Sequence, residues 1–77
     1  MREISTKECH IGFGEFIKKA RLKQGMYQEE LAEEVGITQV YLSYLERGER
    51  NIDLALAIKI CEALKLNINE FVLTYMK

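Results

Sequence analysis

GITQVYLSYLERGERN, residues 36–51, governs the interpretation of the whole chain. Thr38 is a good N-cap, and after it Tyr41, Leu42 and Leu45 recur at helical spacing. That spacing predicts a helix from Thr38 to Glu46 with those three side chains turned inward. Gln39, Val40, Ser43 and Tyr44 then share the outer side, where a polar or small side chain can meet the edge of a base. Arg47-Gly48-Glu49-Arg50-Asn51 breaks the pattern and leaves two guanidiniums just past the helix end. Tyr41 reads as packing with its hydroxyl at the rim, and Tyr44 stands between the edge of the core and the surface.

Upstream, Gln28 to Val35 forms a short helix with Leu31, Ala32 and Val35 on one face and Glu29, Glu30, Glu33 and Glu34 around the rest. Glu29 and Glu30 in its first turn complement the helix dipole. Gly36 ends it in a left-handed turn that would strain other residues. A first helix is expected from Phe13 to Gln24, with Phe13, Phe16, Ile17 and Ala20, and Leu22 beside them, on its apolar side, and Gly25 as its stop. Downstream, Asp53 caps a fourth helix over LALAIKICEAL, apolar around so much of its circumference that it is expected to be the central buried element. Asn67 and Glu70 make a capping-box-like start for a fifth helix, with Ile68, Phe71, Val72, Leu73, Tyr75 and Met76. The expected architecture is all-α: an N-terminal tail over residues 1–12 and one compact five-helix domain over 13–77.

A chain of 77 residues, 48% hydrophobic and 30% charged, suits one small helical domain. No apolar run approaches the ~18 residues needed to span a bilayer, and the start MREISTKECHIGFGEF carries no signal-peptide pattern, so a cytoplasmic location is expected. The net charge of −1 disfavours a protein that coats nucleic acid through bulk charge. Its distribution is uneven: net +3 over residues 1–25, −5 over 26–46 and +1 over 47–77. A nucleic-acid face must therefore be a local patch flanking the acidic segment. Cys9 and Cys61 are expected to be reduced thiols. Cys9 with His10 has no second ligand pair at a metal spacing, and neither a phosphate-binding glycine loop nor a Ser/His/Asp set is present. No metal, cofactor or catalytic activity is expected.

Two short helices joined at Gly36 make the helix-turn-helix geometry, in which the second helix enters a DNA major groove. Ala32 sits where the first must let the second approach. The spaced set Gln28, Leu31, Ala32, Gly36, Thr38, Leu42, Leu45, Glu46 and Gly48, within residues 13–71, resembles the lambda-repressor-like (Cro/XRE) helix-turn-helix family of bacterial and phage transcriptional regulators. Members with an ERGERN link and a similar length resemble restriction-modification controllers and mobile-element repressors.

The resemblance implies double-stranded DNA as partner. It implies that Gln28 grips a phosphate and braces the reading helix, and that Gln39 reads a base. A bidentate Gln–adenine pair discriminates by ~1–3 kcal/mol. Thr38, Val40, Ser43 and Tyr44 complete the face toward DNA, and Arg47, Arg50 and Asn51 hold the backbone beyond it. Arg21 and Glu46 occupy the family's structural ion-pair positions, where the guanidinium neutralises a carboxylate close to phosphate. Tyr27 departs from the family's Ser or Thr cap before Gln28. The surplus apolar surface of Val72, Leu73, Tyr75 and Met76 points to a homodimer contact, and a two-fold dimer implies a palindromic operator. A second interpretation, from another class, is an antitoxin-like or adaptor module that binds a protein partner through the acidic helix and the apolar C-terminal helix.

Overall fold

The computed structural model describes residues 6–67, 69, 70 and 73. Four helices are formed among them: α1 (Thr6–Lys23), α2 (Gln28–Val35), α3 (Gln39–Glu46) and α4 (Leu54–Ala63). The class is all-α, as expected, and four of the expected five helices are delimited among the described residues. The expected fifth, from Asn67, falls mostly outside the described residues; Asn69, Glu70 and Leu73 are helical. The expected boundary between tail and first helix at Phe13 also shifts, because α1 begins at Thr6. Residues 6–12 lack a long apolar pattern, yet they extend a helix that is anchored further along by Phe13 and Ile17.

Local chemistry sets the helix ends. The Thr38 hydroxyl accepts the Tyr41 backbone N–H at 3.1 Å, and the Asp53 carboxylate accepts that of Leu56 at 2.8 Å. Both caps satisfy amides that a helix start leaves without an internal partner. Tyr27 supplies no side-chain cap to α2, but the Glu30 carboxylate turns back to accept the Tyr27 N–H at 2.9 Å. Gly36 takes the expected left-handed conformation, φ 80°, and the next amide, Ile37, donates to Ala32 at 3.0 Å. Asn67 does not close a full box; its side chain accepts from Asn69 two residues on, at 2.9 Å.

α1 packs on α3, and α2 packs on both α3 and α4. The core gathers Phe13 and Ile17 of α1, Leu31 and Ala32 of α2, Leu42 and Leu45 of α3, and Ala57, Ile60, Cys61 and then Leu64 of α4 and its end. Phe16, Val35, Ile37 and Tyr41 pack at its margin. Two expectations fail here. Leu22 lies on the outer side of α1 and is 58% exposed. α4 buries one face only: Leu54 and Ile58, four residues apart, stand on the other at 69% and 40% exposure. An all-apolar circumference does not by itself bury every face of a helix; burial follows from which faces meet neighbours.

The approach of α1 to α3 depends on Gly14, a helix-interior glycine whose buried Cα faces the C-terminal carbonyls of α3. Gln24, past the end of α1, donates to the Leu64 carbonyl at 2.6 Å and ties that end to the C-terminus of α4. Burial and the thiol of Cys61 agree: the side chain is a free cysteine within the core, and desolvation followed by the nearby Glu70 carboxylate pushes its pKa up.

Candidate nucleic-acid interface

Arg21 and Glu46 form the buried centre of the site, at 6% and 4% exposure. The guanidinium meets the carboxylate through two bonds, Nε to Oε2 at 2.7 Å and Nη2 to Oε1 at 3.0 Å, while Nη1 donates to the Met26 carbonyl at 2.7 Å. Two charges out of water require this degree of pairing. The arginine thereby joins α1, the α1–α2 turn and the C-terminus of α3.

The pair is the inner end of a longer chain. Gln28 Nε2 donates to Glu46 Oε1 at 2.9 Å, and Gln39 Nε2 donates to Gln28 Oε1 at 2.8 Å. The direction of these bonds follows from the carboxylate. Glu46 can only accept, so Gln28 must turn its NH₂ inward and its oxygen outward; Gln39, meeting an oxygen, must donate. The carbonyl oxygen of Gln39 and its second amide hydrogen remain for a ligand. A glutamine that reads adenine uses both groups, its oxygen toward the exocyclic amine and its N–H toward N7.

On α3, Gln39 and Val40 are exposed, whereas Ser43 and Tyr44 are half-buried. The hydroxyl of Thr38 is engaged in capping. Arg47 and Arg50 are brought together over Tyr44, with guanidinium carbons 5.0 Å and 5.3 Å from the ring centroid. Arg47 also pairs with the Glu49 carboxylate. Asn51 is exposed, beyond this cluster. The expected dimer residues are not assembled within the described part: Leu73 is 64% exposed, and Val72, Tyr75 and Met76 lie outside it.

Residue patterns alone did not disclose several of these features, the Gln28–Gln39 bond among them. Gly14 could have been found, since a glycine inside a helical pattern signals close approach. The Tyr44 stack and the Glu49 pair depend on the return of the chain at Gly48, which periodicity does not report. Among the described residues no group of three or more His, Cys, Asp or Glu is placed to hold a metal, and no helix is long and apolar enough to cross a membrane.

The helix-turn-helix family model matches residues 17–71, which takes in the turn at Gly36, the ion pair and the polar chain. An uncharacterized HTH-type transcriptional regulator of Archaeoglobus fulgidus is 41% identical over 54 residues, covering 70% of this chain and 77% of its own. The control protein C.BamHI of Bacillus amyloliquefaciens is 40% identical over 60 residues, 77% of this chain and 74% of its own. Among solved structures, the restriction-modification controller C.AhdI from Aeromonas hydrophila superposes with a TM-score of 0.75 at 33% identity, over 79% of this chain and 92% of that one. The controller C.Esp1396I, solved as a tetramer with its natural 35 base-pair operator, gives a TM-score of 0.71 at 30% identity, over 95% of this chain and 91% of that one.

Proposed function

The chain belongs to the helix-turn-helix family and is a DNA-binding transcriptional regulator, and from that premise we propose that it acts as a homodimeric repressor or autoregulator that reads a palindromic operator by laying α3 in the major groove. The observation that carries this proposal is the hydrogen-bonded chain from Arg21 and Glu46 through Gln28 to Gln39. A surface glutamine that merely meets solvent needs no such bracing, whereas one that discriminates bases gains from a fixed amide direction. Val40, exposed beside it, offers an apolar contact to a thymine methyl. Gln28 keeps one amide hydrogen for a phosphate at the start of α2, and Arg47, Arg50 and Asn51 continue the backbone contacts past α3. Those contacts set register and make affinity fall with salt.

Two-fold assembly is supported by apolar surface that this fold leaves uncovered: Leu54 and Ile58 on α4, and Leu73. C.Esp1396I, whose structure aligns with nearly the whole chain, assembles as a tetramer on its operator. Two copies would set two reading helices about 34 Å apart, one turn of DNA, and one small domain alone gives limited specificity.

Fluorescence anisotropy against overlapping duplexes from upstream of the protein's own gene, between roughly 50 and 200 mM salt, tests the proposal. Saturable binding to one duplex with two chains per duplex, and loss of selectivity in Gln39→Ala, is the expected result. Equal weak binding to every duplex would defeat the operator reading and favour a protein-interaction module built on the acidic α2.

A further inference from the structure

Immediately past the reading helix, the chain doubles back on itself. Gly48 adopts a left-handed conformation, φ 71°, and the following amide, Glu49, donates to the Tyr44 carbonyl at 2.9 Å. Position 48 is also sterically closed: a Cβ there would stand 2.6 Å from the Ile11 side chain and 2.7 Å from the Ile11 Cα on α1. The return places residues 47 and 50 on either side of a tight bend, both within reach of the Tyr44 ring, and both guanidiniums lie over it. Glu49 holds Arg47 by a second attachment. Among the described residues Arg50 has no carboxylate partner, so its charge is uncompensated within the site.

We infer that Tyr44 is a positioning residue for this arginine pair, its ring presenting Arg47 and Arg50 to the DNA backbone beyond the end of α3; the inference rests on the DNA-binding role proposed above. The half-buried ring cannot also stack freely on a base while two guanidiniums cover it. A surface arginine explores many rotamers that phosphate contact must freeze, and a ring that gathers the side chain beforehand removes part of that loss. Planar, weakly hydrated guanidinium stacks on an aromatic face while its N–H edge stays open to phosphate, which an ammonium does less well. Arg47 thus arrives with its charge offset by Glu49 and serves orientation, and Arg50 supplies the net attraction.

The test compares Tyr44→Phe with Tyr44→Leu, first without DNA. In wild type and in Tyr44→Phe the Arg47 and Arg50 side-chain protons should show upfield ring-current shifts by NMR, absent in Tyr44→Leu. Binding is then followed by anisotropy to the duplex selected from the upstream scan and to a scrambled duplex. Tyr44→Leu should weaken binding to both severalfold, up to a ceiling of roughly five- to thirtyfold set by two exposed cation–π contacts expressed as a ratio. The slope of log affinity against log salt should stay that of wild type, since the contacts survive and only their preparation is lost. Tyr44→Phe should recover most of the loss. Equal losses in Phe and Leu would overturn the inference in favour of a direct hydroxyl contact, and so would unshifted arginine protons in wild type or wild-type affinity in Tyr44→Leu. Failure of the wild type to bind any duplex would instead remove the DNA-binding premise, a result separable because the ring-current shifts are read without DNA.

Discussion

A Cβ on Gly14 would stand 2.4 Å from the carbonyl oxygen of Leu45 and 2.6 Å from that of Glu46. Both neighbours are backbone at the C-terminal end of α3, so no side chain can swing aside. Gly14→Ala should cost at least the ~1–3 kcal/mol typical of overpacking and displace α3 from α1. Urea denaturation measures the first effect, and a weaker Gln39-dependent selectivity at full occupancy of the folded state reports the second. An unchanged midpoint would mean that α1 and α3 separate more easily than their packing implies.

Removing one member of the buried ion pair leaves the other unpaired in the core. Arg21→Ala or Glu46→Ala should each destabilise by about 3–5 kcal/mol. The double replacement Arg21→Met with Glu46→Leu should recover most of that stability while leaving Gln28 without its acceptor. Its expected signature is a cooperatively folded protein with reduced discrimination between duplexes. Recovery of both stability and discrimination would show that the pair serves folding alone.

Gln28→Ala should free the Gln39 amide to rotate. Discrimination against single-base changes under Gln39 should shrink from the ~1–3 kcal/mol of a fixed bidentate contact, as read from competition anisotropy with substituted duplexes. Loss of affinity with unaltered ranking of the duplexes would assign Gln28 to phosphate contact only.

The two helix starts of the motif differ in a way that can be exchanged. Thr38→Ala should lose ~1 kcal/mol as the Tyr41 amide loses its acceptor, and Tyr27→Ser should add a comparable amount to α2, whose present cap residue has no side-chain bond. Tyr27 is 75% exposed, so the exchange sacrifices little packing. Chemical denaturation of both variants gives the two signs directly.

Cys61 has a raised thiol pKa from burial and then from Glu70, so the folded protein holds that proton more tightly than the unfolded chain does. The corresponding stability is intact below the ordinary thiol value of about 8.5 and is lost as pH rises through the higher folded value. The stability advantage of wild type over Cys61→Ala should therefore narrow above that pH. Thiol labelling should be slow in the native state and fast in urea.

What the sequence discloses and what it hides follow from the range of the forces involved. Thr38, Asp53 and Gly36 were legible because capping and left-handed turns are settled by a few neighbouring atoms. Leu31, Leu42 and Leu45 were legible from spacing on amphipathic helices. The start of α1 at Thr6 was not, because the added turns bring no apolar repeat that would announce them. α4 misled for the opposite reason: apolar residues on every side cannot say which side meets a neighbour. The Arg21–Glu46 pair entered through family resemblance, and the structure places its side chains in contact across 25 positions of sequence. Its extension to Gln39 and the stacking on Tyr44 require three-dimensional neighbours that no local pattern encodes.

The outward polarity of the Glu46–Gln28–Gln39 chain also constrains how this protein could acquire a new operator. With Gln28 Oε1 facing position 39, a donor there is welcomed and a carboxylate is repelled. Among residues that read purines, arginine, lysine and asparagine are thus compatible with Gln28, and these favour guanine or adenine, whereas the acidic side chains suited to cytosine are penalised before they meet DNA. The accessible mutational neighbourhood of the regulator is skewed toward purines at that one base. A randomised position 39, selected on duplexes carrying each base in turn, should return no acidic cytosine readers until Gln28 is released as well.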